Sequence, residues 1–173
     1  MKYHISLRIV HWLMALLIIL MIGLGWYMAD LPKEDPMRDV LYMRHKSIGV
    51  TILILFFLRV AIRISTKIPP LPNTISFINQ QLAHLGHGVI YILMAMVPLS
   101  GYAMSNMYGF GVSMFGIDMP KLFPTNHEIA RIAKEVHSVI PYVLLAVVIL
   151  HALAALKHRF FEKPENDVLG RML

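Results

Sequence analysis

Four stretches of this 173-residue chain are apolar for about as long as a bilayer is thick, and no other feature limits the fold so much. A helix needs roughly twenty mainly apolar residues to cross the hydrocarbon. Only helices and closed barrels can cross it, because each backbone N–H and C=O must find its partner inside the protein. The stretches are 9–29, 47–64, 88–107 and 138–156. The second contains Arg59 and Arg63, the third Pro98 and the fourth Pro141. Neighbouring helices can re-satisfy the backbone groups that proline frees, so both prolines predict kinks rather than breaks. The first run is too long for the apolar region of a signal peptide, and no clear A-x-A site follows it, so it reads as a retained span. The expected fold is all-α: one domain over 1–173, an integral membrane four-helix bundle.

Composition narrows the function. Charged residues make up 15% of the chain, against about 25% in soluble domains. The formal charge is +6, but the basic residues sit at the ends of apolar runs, which argues against nucleic acid as a partner. There is no cysteine. Disulfides, thiolate-held iron–sulfur clusters and haem attached through C-x-x-C-H are therefore excluded.

With the N-terminus inside, nine lysines and arginines fall on the inner side: Lys2, Arg8, Arg59, Arg63, Lys67, Lys157, Arg159, Lys163 and Arg171. Seven fall outside: Lys33, Arg38, Arg44, Lys46, Lys121, Arg131 and Lys134. This positive-inside bias places both termini in the cytoplasm. The long connection after the third span ends in a segment that reads as helical, with Asn126 as its cap.

Nine histidines are many for so apolar a chain. His137 and His151 bracket thirteen uncharged residues of the fourth span. Fourteen residues turn a helix by about 1400°, within about 40° of whole turns, and rise roughly 21 Å. The two imidazoles therefore face one side of the bundle near opposite membrane faces. This spacing predicts two metal centres, one per leaflet. The outer partner of His137 is His45, and Gly49 one turn on leaves space for a flat macrocycle. For His151 the candidates are His11, His84 and His87, with His11 preferred on depth because it already lies in an apolar run. Imidazole pairs from different helices, without thiolate or intramembrane carboxylate, suit bis-histidine haem better than zinc, which recruits three or four ligands. Arg59, fourteen residues after His45, either meets the inner-haem propionates or snorkels to the headgroups together with Arg63.

The segments "SLRIVHWLMALL", "RHKSIGVTILILFFLRVAIR", "AHLGHGVIYILMAMVPLSG" and "HSVIPYVLLAVVILHALAALKHRF" resemble the bacterial cytochrome b561 family, small dihaem proteins of the inner membrane of the superoxide oxidase type. The likeness covers nearly the whole chain from His11 to Phe160; its histidine spacings are specific and its apolar filler is not. It implies two non-covalent haem b groups with His11, His45, His137 and His151 as the iron ligands. It also implies electron flow from periplasmic superoxide to a membrane quinone such as ubiquinone. The family's quinone site lies near the inner haem, which here points to Trp12, His87 and His158. Haem carries one electron and a quinone takes two electrons with two protons, so inner-face histidines suit proton delivery. Arg44, Lys46, Arg131 and Lys134 flank the outer ligands and are candidates for steering the superoxide anion. The alternative within the same chemistry is a cytochrome b subunit that links a periplasmic dehydrogenase or hydrogenase to the quinone pool. A histidine-lined ion transporter is the alternative of a different class.

Overall fold

The computed structural model describes residues 1–173 and contains four long helices: α1 (Ile5–Asp30), α2 (Pro36–Ser65), α3 (Phe77–Met107) and α4 (His127–Phe160). All four are long and apolar enough to cross a membrane. Only 22 of 173 residues are buried, and large apolar side chains such as Leu16, Ile19, Leu20, Ile54, Phe57, Ile92 and Leu150 face outward. Water would not tolerate that surface on a monomer; lipid does. The chain is a multi-pass membrane protein.

The helices run past their apolar stretches. α2 begins at Pro36 rather than near 47, α3 at Phe77 rather than near 88, and α4 at His127 rather than near 138. Hydropathy sees only the part in hydrocarbon, whereas the polar turns beyond it are held by caps. The Asp35 side chain accepts a hydrogen bond from the Met37 N–H at 2.8 Å, with Pro36 at the first helical position. Ser76 caps α3. Asn126 caps α4 as its sequence suggested, accepting from the N–H groups of Glu128 and Ile129 at 3.1 Å. Pro98 and Pro141 both lie inside unbroken helices.

Two smaller pieces close the ends of the bundle. Between α3 and α4, β1 (Ser113–Met114) pairs with β2 (Ile117–Asp118) in a tight hairpin. Its turn residues Phe115 and Gly116 both have positive φ, 49° and 90°, the conformation of the commonest two-residue hairpin turn. The hairpin is tied to α2: the Ser47 hydroxyl donates to the Ser113 carbonyl at 3.1 Å and accepts from the Phe115 N–H at 3.0 Å. At the other end the C-terminal segment folds back across the bundle. The Tyr3 N–H donates to the Arg171 carbonyl at 3.1 Å, and the Arg171 guanidinium reaches the Pro70 carbonyl at 2.6 Å. Both chain ends therefore lie at one end of the bundle, as four spans require.

Candidate functional site

The four helices carry chemistry at the same interval. Fourteen residues separate His11 from Gly25 on α1, His45 from Arg59 on α2, His87 from Gly101 on α3, and His137 from His151 on α4. Because the helices alternate in direction, these eight residues sort into two levels. Gly25, His45, Gly101 and His137 share one level, at the hairpin end. His11, Arg59, His87 and His151 share the other, at the end holding the termini. Seven residues on from the first member of each pair lie Ile18, Ile52, Met94 and Leu144. All four are buried and belong to one apolar cluster. A dry layer therefore separates two polar levels.

At the hairpin level the His45 and His137 ring centres are 6.1 Å apart and nearly perpendicular, at 89°. At the other level the His11 and His151 centres are 6.3 Å apart. Two imidazoles on opposite sides of one metal, each bonding at about 2 Å, have ring centres roughly 6 Å apart. His87 is also near His151, at 5.2 Å between centres. That is closer than a shared metal allows, and its Nδ1 is taken by the Ala83 carbonyl of its own helix at 2.7 Å. His84, the third candidate from the sequence, is exposed and meets neither. Depth cannot separate His84 from His87, because they lie three residues apart; helix rotation does.

The second ring nitrogen of His137 has a protein partner. Its Nδ1 lies 2.9 Å from the Val97 carbonyl, which cannot donate, so Nδ1 carries the proton. The Ser100 hydroxyl is also near, at 3.1 Å. Nε2 is left with its lone pair free, the tautomer that a metal ligand needs. A carbonyl of α3 thus sets the orientation of His137, a role that nothing around Pro141 on its own helix reveals.

Two glycines missed in the sequence stand against the hairpin-level imidazoles. A Cβ on Gly101 would come within 2.8 Å of His137 Cε1, and one on Gly25 would lie 3.5 Å from His45 Cε1. A Cβ on Gly49, expected to leave such space, would meet only the end of Met21, at 4.0 Å. The signal that finds Gly25 and Gly101 is the fourteen-residue interval they share with His11 and His87.

Arg59 does not snorkel. It is 9% exposed, its Nε donates to the Tyr91 hydroxyl at 3.2 Å, and its Nη1 is buried without a protein partner. Arg63 lies over the Tyr91 ring, 5.7 Å from its centroid. An orphaned buried guanidinium nitrogen is costly, and a carboxylate-bearing cofactor would satisfy it. The imidazole spacings, the two glycines and Arg59 together fit a flat macrocycle with acidic side arms held between helices.

The remaining expected residues divide. Trp12 is 45% exposed, and its indole N–H donates to the Met172 carbonyl at 2.9 Å. Its ring centre is 5.2 Å from that of His11. The His158 Nδ1 meets Glu162 at 2.8 Å. Trp12, His87 and His158 therefore all lie toward the end that holds the termini. At the other end Arg44, Arg131 and Lys134 are exposed. Lys46 is only half exposed, because its ammonium donates to the Gly111 carbonyl at 3.2 Å.

Comparison with known proteins agrees with this arrangement. The family model described as prokaryotic cytochrome b561 matches residues 2–173. A probable superoxide oxidase CybB of Yersinia pestis is 33% identical over 165 residues, spanning 94% of this chain and 91% of that protein. Cytochrome b561 homolog 2 of Escherichia coli (strain K12) is 31% identical over 174 residues, spanning 99% and 91%. Cytochrome b561 homolog 1 of the same organism is 28% identical over 151 residues, spanning 86% and 81%.

Proposed function

This chain belongs to the prokaryotic cytochrome b561 family, and from that premise we propose that it oxidises superoxide on the periplasmic side and delivers the electrons to membrane quinone. The family is one of transmembrane electron carriers that bind haem b. The finer reading is that this chain holds two, one between His45 and His137 and one between His11 and His151, with Arg59 as a propionate partner. Held by these residues, haem would supply one-electron transfer. The observation that carries the reading is the pair of imidazole separations near 6 Å, one at each level, that share α4.

The chain's own residues account for the rest. The termini lie at the cytoplasmic end, in keeping with the excess of lysine and arginine there. Trp12, His87 and His158 border the quinone at that end. At the periplasmic end Arg44, Arg131 and Lys134 raise the encounter rate with the superoxide anion, and Lys46 contributes from a half-buried position. Superoxide as donor is supported by the likeness to the Yersinia pestis protein.

Stopped-flow mixing of the purified haem protein with superoxide tests this. Haem reduction is expected in both cases, and it should persist without quinone and decay with it. A spectrum that superoxide leaves oxidised would sink the superoxide reading. Exchanging His45 for leucine should remove only the periplasmic-side haem, and exchanging His151 only the other. Phe110, Phe115, Ile117 and Leu122 leave an apolar surface exposed around the hairpin, which favours a second reading: a cytochrome b subunit that docks a periplasmic dehydrogenase or hydrogenase. A companion subunit that copurifies in stoichiometric amount, with no reaction toward superoxide, would establish that instead.

A further inference from the structure

Where α4 ends, five side chains from two parts of the chain form one hydrogen-bonded network. The His158 Nδ1 lies 2.8 Å from Glu162 Oε2. The Asn166 amide donates to the same oxygen at 2.8 Å. The Thr74 hydroxyl, from the α2–α3 connection, donates to Asn166 Oδ1 at 2.5 Å. The Lys157 ammonium reaches the other Glu162 oxygen at 3.2 Å. Asn166 is 6% exposed, and the side chains of His158 and Glu162 are 13% and 22% exposed. Polar groups so covered are not a solvated surface pair. They are a fixed network that the folded-back C-terminal segment completes.

We propose that Glu162 is a positioning residue that fixes the His158 ring and turns its Nε2 toward the quinone. The proposal rests on the reading that His158 borders the quinone. A carboxylate can only accept, so the ring nitrogen facing it is an N–H donor. With Nδ1 committed, Nε2 is the one ring nitrogen left to meet a quinone carbonyl. The same logic places a carboxylate behind the histidine in hydrolase triads.

Glu162 is not the proton carrier. Its bond to His158, then that to Asn166, and the Lys157 ammonium hold its carboxyl at about 2, well below its ordinary value of 4.5. It stays ionised wherever the protein works. Three other cations at this end are engaged elsewhere. Arg159 pairs with Asp167 at 2.9 Å, Arg63 lies over Tyr91, and Arg171 holds the Pro70 carbonyl. The chemistry balances. Two superoxide ions give up one electron each and leave as two O2. The quinone takes the two electrons and two protons and leaves as quinol. Each proton passes from His158 Nε2, which is reprotonated from the cytoplasm.

The test uses the full chain with haem bound. The haem is reduced chemically, mixed with increasing concentrations of a short-chain ubiquinone, and its reoxidation followed. Glu162→Gln keeps the shape but can turn an amide N–H toward the ring in place of the carboxylate oxygen. It should slow the saturating rate of reoxidation about tenfold, part of what a positioned proton donor contributes, and leave the half-saturating quinone concentration unchanged. Reduction by superoxide at the far end should be unchanged, which reports an intact fold. Asn166→Ala loosens the carboxylate without removing it and should slow reoxidation less. An unchanged saturating rate in both variants, while His158→Gln slows quinone reduction, overturns the role of Glu162. Unaltered quinone kinetics in His158→Gln itself overturns the placement of the quinone beside His158.

Discussion

Gly101 shows how much one missing methyl group matters here. The position is helical, where glycine costs about 1 kcal/mol relative to alanine, yet a Cβ would come within 2.8 Å of the His137 ring. The ring is pinned from its other side by the Val97 carbonyl and cannot retreat without losing that bond. Gly101→Ala should therefore tilt His137 and halve the haem content of purified protein. Gly23→Ala, whose Cβ would meet nothing within 4 Å, should leave it unchanged. The haem-to-protein ratio from the pyridine haemochrome decides, and equal ratios for the two variants would show that the approach to His137 is immaterial.

Glu162 gives a pH dependence whose direction follows from its bonds. Its carboxyl is held at about 2 in the fold, below the ordinary 4.5. The stabilisation it brings to the C-terminal segment is therefore complete above about pH 4.5 and is lost as pH falls through about 2. Limited proteolysis by an acid-active protease in detergent should show the segment after Phe160 opening over that window. Cleavage that stays the same across that window would show that Glu162 does not hold the segment.

At the scale of elements, each helix repeats one arrangement: a functional position, an apolar residue seven on, and a second functional position after fourteen. Seven residues turn a helix through nearly two whole turns and rise about 10 Å, so one face meets both levels and the layer between. Leu144 on α4 is the most buried of that layer, at 2%. Leu144→Ala should cost about 2–5 kcal/mol, as cavities in packed cores do. It should lower the thermal midpoint in detergent with the haem content retained, because none of the proposed ligands moves. Loss of haem would mean that the layer positions ligands and does not merely pack. The apolar runs and the cap at Asn126 were visible in the sequence, because hydropathy and capping chemistry are local. The polar first turns of α2, α3 and α4 were not, because nothing apolar marks them.

At the scale of the molecule, charge distribution carries the proposed orientation and the proposed approach of the anion. Arg44, Arg131 and Lys134 stand exposed at the hairpin end. Reversing Arg131 and Lys134 together to glutamate should slow reduction by superoxide by up to about tenfold at low salt. The gap should close above roughly 0.1 M salt, where the screening length falls to about 10 Å. A difference that persists in high salt would place those residues in contact with the reacting anion instead. Reporter fusions at both termini should be active only as cytoplasmic reporters, and a periplasmic signal from either would reverse the assignment of sides.

By itself the sequence determined the four apolar helices, their number and alternation, the fourteen-residue spacing on α4, and hence two levels of histidine. These follow from local periodicity and from the refusal of lipid to hydrate a backbone. Tertiary structure alone decided what stands across from each ring. His11 sits at metal-sharing distance from His151 while His87 comes closer, Arg59 turns inward to Tyr91, and Gly25 and Gly101 face His45 and His137. It also brought Thr74, Asn166 and Glu162 into one row behind His158. Those facts depend on the rotation of each helix about its axis and on the path of the chain after α4. Both are fixed by packing between segments far apart in sequence, which no local pattern records.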